Sequence, residues 1–351
     1  MKVLFISEGP NGCGLYRAEI PIRYLPGVGI DARLSHVNAL DHELEWADVL
    51  VVQKQYERHF YQKVLNYKRA GKKIVYEIDD DVFNIPPWNP AHIHFHRIKG
   101  NIIQYLRLAD AVTVSTPYLK NQISKYNRNV HVCPNSIDFE ELDREGPAPD
   151  QISALDKRCA RLTLDDYRDR LQGRFVIGWL GSPTHKRDLQ VVTPALKVIC
   201  DRYGDRVVVV MGGCASKDLI RITPYDQMVF LEMVPPRIYL RYLASIGLSV
   251  GLAPVYNHVF NYSKSNLKVL EYMASGYVPI ASDLVTYNTT VRNGHTGFLC
   301  NTPGSWVSAI SKLIEKPALL QTLRQNGDDY VRENFDIKKT VLKWASVFKT
   351  L

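Results

Sequence analysis

No stretch of the sequence approaches the roughly 20 consecutive apolar residues that a membrane-spanning helix needs. A spanning segment is therefore not expected, while peripheral contact with a membrane surface stays open. Paired cysteines are also missing. The six cysteines stand at positions 13, 133, 159, 200, 214 and 300, without a C-x-x-C pair or a metal-like cluster. That pattern points to reduced thiols in a cytoplasmic protein. The opening MKVLFISEGPNG meets glycine too early for a signal peptide. No short-period repeat occurs.

What is present is an ordinary globular composition. The chain has 351 residues, 46% apolar and 23% charged, enough for two domains with sizeable cores. Its net charge of +8 suits anionic partners: nucleotide phosphates, nucleic acid or acidic lipids. The charge is uneven. Residues 54–73 carry seven Lys and Arg against one Glu, interleaved with Tyr56, Phe60, Tyr61 and Tyr67. The simpler account is a helix with Phe60 and Val64 inward and a solvated basic face. The other is a landing strip for a polyanionic acceptor such as nucleic acid.

Hydrophobic patterning divides the chain into two similar halves. In the first, strands are expected at 3–7, 49–53, 73–78, 111–115 and 129–132. Helices fit at 57–70, 96–108 and 117–126, with one more from about residue 15 that Pro21 should kink or interrupt. The polar stretch 143–156 reads as a linker and 158–171 as a charged helix. The second half has strands expected at 175–180, 207–211, 228–231, 248–253 and 278–281, and helices at 305–315, 318–334 and 337–348. Alternation of strand and helix argues for parallel sheets covered on both faces. The fold class is therefore α/β, two Rossmann-like domains facing a central cleft, with the chemistry in loops at strand ends.

The block FNYSKSNLKVLEYMASGYVPIASD, residues 260–283, is the richest in chemistry. It reads as loop, helix, αL stop at Gly276 and buried strand. The first turn of such a helix offers unpaired N–H groups and a positive dipole end, an anion site. Ser263, Lys264, Ser265, Asn266 and Leu267 are the candidates around it, and Glu271 can accept hydrogen bonds from sugar hydroxyls. Simpler roles compete: a cap worth about 1 kcal/mol for Asn261, Ser263 or Ser265, and an i,i+3 pair of Glu271 with Lys268. A second anion candidate is the turn GSPTHKRD, 181–188, where Gly181 and Ser182 permit close backbone approach and His185 and Lys186 supply contacts. There Asp188 is expected to cap the next helix. Asp79, Asp80 and Asp81 close a strand, as a turn, a cap or a metal-binding Asp-x-Asp. Gly12, Gly14, Tyr16 and Arg17 follow the first strand, and Trp88 sits in a proline-rich loop; all five are candidates for acceptor contact. His92, His94 and His96 alternate without further zinc-ligand spacing.

Four elements together resemble retaining glycosyltransferases of the GT-B fold, of the family-four type: the glycines at 9–14, ADAVTVST…VCPNSID, IGWLGSPTHKRDL, and KSNLKVLEYMASGYVPIASD. The family often carries Glu-x7-Glu; here the first position is Ser263 and the second Glu271. The resemblance implies an N-terminal acceptor domain at 1–172, a nucleotide-sugar domain at 173–336, and a last helix at 337–351 crossing back to the first domain. It implies a ribose role for Glu271, and a sugar-facing role for Asp79 and Asp80 in place of a His-Asp pair. With Lys264 these are the expected catalytic residues. No cofactor or metal is required; the donor is a nucleotide sugar, UDP or GDP as carrier. The acceptor is a glycan, a lipid-linked saccharide or a modified nucleic-acid base. Ser263 favours one alternative, an inactive sugar-nucleotide-binding module; another is a nucleotide-sugar epimerase.

Overall fold

Runs such as VLFI, VLVV and KIVYEI lack the alternation of a half-exposed sheet, and they form parallel strands with both faces buried. The computed structural model of the chain describes residues 1–7, 9–144, 154–156, 160–214 and 217–351. Contacts divide these into two units. The first comprises Met1–Asp138, His258–Ser265 and Asn334–Leu351; the second comprises Phe139–Asn257 and Asn266–Glu333.

The first unit holds six parallel strands: β1 (Lys2–Ser7), β2 (Asp31–His36), β3 (Val49–Gln53), β4 (Lys73–Ile78), β5 (Ala111–Val114) and β6 (Val130–Val132). Their order is β2-β1-β3-β4-β5-β6. Helices Arg58–Arg69 and His92–Leu108 pack on one face through Phe60, Val64, Ile102 and Tyr105. The inward placement of Phe60 and Val64 is as the sequence suggests. On β1, Phe5 meets Trp344 and Phe348 of the last helix, Ile337–Lys349, at 5.9 and 6.0 Å between ring centres. The C-terminal helix thus belongs to the first unit. The PNSID segment links that helix to the first one: Ser136 and Thr340 hydroxyls are 2.6 Å apart, and Asp138 accepts from the Tyr24 hydroxyl at 2.6 Å and from Arg23 at 3.0 Å, both on the helix Ile20–Tyr24.

The second unit contains β7 (Ala154–Leu155), β8 (Arg161–Leu162), β9 (Phe175–Leu180), β10 (Val207–Gly212), β11 (Met228–Leu231), β12 (Val250–Ala253), β13 (Val278–Ser282) and β14 (Phe298–Cys300). The order is β14-β13-β12-β9-β10-β11-β7-β8, with β7 and β8 antiparallel. That pairing explains why the structural division falls at Asp138/Phe139 rather than near residue 172: β7 completes the second sheet, and the Tyr167 hydroxyl donates to the Ile246 carbonyl at 2.6 Å. The linker expected at 143–156 lies largely outside the described residues, as do 158 and 159 of the helix expected at 158–171; Arg161–Leu162 form β8 instead, and the helix is described only at Leu164–Leu171. Among the described residues, no helix is long and apolar enough to cross a membrane.

Pro21 does not break the first helix. The segment runs helical from Gly12 to Tyr24, with a π-turn at Leu15–Glu19 just before the proline. The Ile20 N–H reaches back to the Leu15 carbonyl, a wider turn that absorbs the ring without ending the helix. It also turns Tyr16 and Arg17 inward, at 8% and 0% exposure. This corrects the expectation that they contact an acceptor. Arg17 Nε donates to Glu77 Oε1 at 2.7 Å, and Nη1 donates to the Cys133 carbonyl at 2.6 Å and Asn135 Oδ1 at 2.9 Å. The guanidinium also lies 4.9 Å over the Trp344 ring. Arg17 Nη2 and Glu77 Oε2 have no hydrogen-bond partner among the described residues. Burial accordingly pushes the Glu77 carboxyl up to about 7, the nearby Arg17 only partly opposing it.

A Cβ on Gly251 of β12 would lie 2.3 Å from the Tyr272 ring, so Gly251→Ala should lose about 1–3 kcal/mol by overpacking. Urea denaturation checks this, and an unchanged midpoint would refute the close approach. Glu77 binds its proton more tightly in the folded state, so stability falls as pH rises from the ordinary carboxyl value of 4.5 towards about 7. Glu77→Gln should flatten that slope, worth of order 3 kcal/mol across the window. Parallel slopes for the two proteins would show that Glu77 is ionised throughout.

Candidate functional site

In the second sheet, β10 and β11 are added on one side of β9 and β12 to β14 on the other. The reversal opens a crevice at the carboxyl ends of β9 and β12, where open α/β sheets bind ligands. β9 delivers Gly181, whose N–H donates to the Gly212 carbonyl at 3.0 Å. A Cβ there would come within 2.7 Å of the Trp179 ring and 3.5 Å of Lys268 Nζ, so glycine lets side chains close over the turn. Lys268 Nζ donates to the Leu180 carbonyl and lies 5.2 Å from the Trp179 ring centre.

Beyond Gly181, the Ser182 and Thr184 hydroxyls are 2.6 Å apart. His185 Nδ1 lies 2.8 Å from Asp188 Oδ2. Asp188 is buried, and its Oδ1 accepts from the Tyr256 N–H at 2.7 Å. It therefore bridges the loops after β9 and β12 and orients His185, rather than capping the helix Lys186–Tyr203 as the sequence suggests. The Cys214 thiol donates to the Ser182 carbonyl at 3.5 Å. Burial pushes that thiol up, while Lys268 and Lys186 pull it the other way. The charges of Lys268 and Lys186 thus both act on Cys214.

The helix Leu267–Ala274 starts beside this crevice. Tyr272 anchors it: its hydroxyl accepts from the Leu180 N–H at 3.4 Å and donates to the Leu252 carbonyl at 3.3 Å. Asn266 precedes the first turn without capping it, and its amide donates to Thr290 Oγ1 at 2.7 Å. The amides at Asn266 and Leu267 lie at the positive dipole end. Glu271, 6% exposed, lies one turn further on; burial and then the Glu271 charge hold the Tyr239 phenol well above its ordinary value. Gly276 takes the left-handed stop with φ +77°.

Gly181, Ser182, His185, Lys186, Asn266, Leu267 and Glu271 therefore lie in the second unit. Ser263, Lys264 and Ser265, contiguous with them in sequence, belong to the first. Ser263 is a correction. It is fully buried, its hydroxyl 3.5 Å from Asp81 and its carbonyl accepting from the Thr116 hydroxyl at 3.0 Å, so it presents nothing to a ligand. The Ser265 hydroxyl accepts from Asn135 at 2.9 Å, and Lys264 Nζ lies 5.2 Å over the Phe260 ring. Lys268, which its place in the first helical turn marks in the sequence as a cation near this anion site, joins the second-unit group. Cys214 offered no sequence signal beyond the neighbouring Gly212 and Gly213.

In the first unit the strand order reverses between β1 and β3. Gly14 is buried, and a Cβ on it would collide with the Gly9 carbonyl at 2.0 Å; Gly12 is exposed with open space. Trp88 is 46% exposed, edge-on to His258 at 5.2 Å. Asp79 and Asp80 stand at the end of β4. Asp81 turns inward, accepting from the Phe83 N–H and the Asn84 amide. Cys13 Sγ and the Asp79 and Asp80 carboxylates lie within 4.8 Å of one another. Lys54 Nζ, 3.1 Å from Asp79 and 3.8 Å from Asp80, supplies the compensating charge, so the group is an ion-pair network. His92 and His96 stack at 6.0 Å, whereas His94 meets Tyr56. In the basic stretch, Lys54, Lys63 and Lys68 pair with carboxylates and Lys72 bonds backbone carbonyls.

Residues 174–316 match the sequence model of glycosyl transferases group 1. No curated protein matches the sequence. The fold is similar to that of HepE from Anabaena, with 14% identity, a TM-score of 0.69 and all of both chains covered. It is also similar to sucrose-phosphate synthase from Thermosynechococcus elongatus, with 14% identity, a TM-score of 0.68, and 100% of this chain and 98% of that one covered. A glycosyltransferase from Rickettsia africae gives 15% identity and a TM-score of 0.68, covering 99% and 98%. Residues 174–316 thus match a group 1 glycosyltransferase model, and the fold is of the GT-B type, in line with what the glycine turn and the 260–283 block suggest.

Proposed function

We propose that the protein transfers a hexose or similar sugar from a nucleotide sugar to a hydroxyl of a saccharide-type acceptor, with retention at the anomeric carbon. The second unit takes the donor and the first unit the acceptor. HepE has been solved with UDP, with UDP and glucose, and with UDP-glucose, which favours UDP over GDP as the carrier. The observation that carries the reading is the convergence of Lys268, Lys186, the Gly181 turn and the amino end of Leu267–Ala274 at one strand-order reversal.

The chemistry needs a site for negative charge. As the glycosidic bond to diphosphate breaks, charge grows on the leaving phosphate oxygens. Fixed amides and ammonium groups stabilise it without reorganising. Glu271 is placed to grip the ribose hydroxyls, Asn266 and Leu267 to offer amides, and His185, held by Asp188, to contact phosphate or sugar. Asp79 and Asp80 are the carboxylates that face the transferred sugar or the acceptor hydroxyl. A nucleic-acid acceptor is less favoured, because four of the seven cations in residues 54–73 already have intramolecular partners. Buried Ser263 also carries less weight for an inactive module, since it does not stand where it would meet a donor.

Thermal unfolding with UDP-, GDP-, ADP- and dTDP-glucose tests the donor assignment. UDP-glucose at about 100 times its Kd should add roughly 2.7 kcal/mol of stability; no shift with any of the four would overturn the reading. Lys268→Met should leave the unfolding temperature nearly intact while lowering UDP-glucose turnover by about 100–1,000-fold. Donor hydrolysis without acceptor separates a transferase from a module that only binds.

A further inference from the structure

Lys54 has φ +47°, and it is the non-glycine residue with positive φ among those described. Such a conformation costs an ordinary side chain about 1–2 kcal/mol and persists where the surroundings impose it. The surroundings here are the crevice between β1 and β3. Gln53, the residue before, fixes one wall: its amide donates to the Cys13 carbonyl at 3.0 Å, and its Oε1 accepts from the Ser7 hydroxyl at 3.0 Å. The Lys54 N–H donates to the Glu77 carbonyl at 2.9 Å, which holds the strained residue against β4. Its ammonium, 10% exposed, then reaches Asp79 at 3.1 Å, Asp80 at 3.8 Å and Cys13 Sγ at 3.9 Å.

We propose that Lys54 is a positioning residue for the transfer reaction, holding Asp79 and Asp80 together as ionised carboxylates that receive an acceptor hydroxyl. Three facts carry this: the left-handed backbone, the convergence of three chain segments at the strand-order reversal, and the unequal exposure of the two acids, 11% for Asp79 and 38% for Asp80. Two adjacent carboxylates repel, which favours protonation of one of them unless a cation stands near. Lys54 clamps the inner acid and leaves the outer one turned to solvent. The titratable and charged groups facing Asp79 are Lys54 from the end of β3, the Cys13 thiol and Arg17 from the first helical segment, and Glu77 and Asp80 from its own strand end. Burial pushes the Asp79 carboxyl up, but Lys54, the Cys13 hydrogen bond and Arg17 outweigh it, and the net shift is downward. The inference rests on the reading of Asp79 and Asp80 as sugar- or acceptor-facing.

Substitution can separate charge from backbone. Asparagine tolerates the left-handed region, so Lys54→Asn removes the ammonium without adding strain, and Lys54→Arg restores a cation. With UDP-glucose as donor and water as acceptor, Lys54→Asn should lose roughly tenfold or more in turnover at neutral pH. Its acid limb should move up by about one pH unit or more, and Lys54→Arg should recover most of both. In parallel, wild-type and Lys54→Asn proteins labelled with 13C at aspartate carboxyls are titrated by NMR, with Asp79 assigned by its loss in Asp79→Asn. Its midpoint should rise by a similar amount; this arm needs no activity. An unmoved Asp79 midpoint overturns the proposal, as does a Lys54→Asn enzyme with wild-type rate and acid limb. Asp79→Asn and Asp80→Asn enzymes that both turn over at the wild-type rate would instead remove the underlying reading of the carboxylates.

Discussion

A guanidinium shut away from water organises the first unit. Arg17 joins four separate pieces of chain: the first helical segment, Glu77 at the end of β4, the loop after β6 through Cys133 and Asn135, and Trp344 of the last helix. A buried ion pair adds little net stability, because desolvation offsets most of the attraction. It does fix geometry, since each donor must find its own acceptor or remain unpaired. Glu77 is two residues before Asp79, and Asn135 holds the Ser265 hydroxyl. The candidate carboxylates and the end of the 258–265 segment are therefore placed by one charge that cannot relax into solvent.

The second unit solves the same problem by contact. Glycines let bulky groups approach where the chemistry is expected: Gly251 under Tyr272, Gly178 under Leu248, Gly181 beside Trp179. Tyr272 bonds across the β9/β12 reversal and sets the helix that carries Glu271. Lys268 covers the glycine turn from the same helix. Lys268 is thus held against the core behind it. That suits stabilisation of a leaving group by charges already in place.

Much of the fold was legible. Buried parallel strands announce themselves as continuous β-branched runs, so β3, β4, β9 and β11 fall where the sequence puts them. β2 did not announce itself: Asp31–His36 is an edge strand, and most of its side chains reach solvent. β14 and the antiparallel β7 and β8 are two or three residues long, too short for a period. At Pro21, where the sequence points to a kink or an interruption, the chain stays helical through a π-turn, which satisfies the backbone in a way that single-residue propensities do not express.

The sequence by itself determined the fold class, the left-handed stop at Gly276 and the glycine turn at 181, because these follow from local sterics and hydrophobic period. The tertiary structure alone decided which residues meet. It buried Arg17, Tyr16 and Ser263, gave the 258–265 segment to the first unit, and made Asp188 a bridge between two loops. It also set Lys54 between two carboxylates 25 and 26 positions away in sequence. Long polar side chains find partners across sequence distance, and only packing at the strand ends fixes which partner each one reaches.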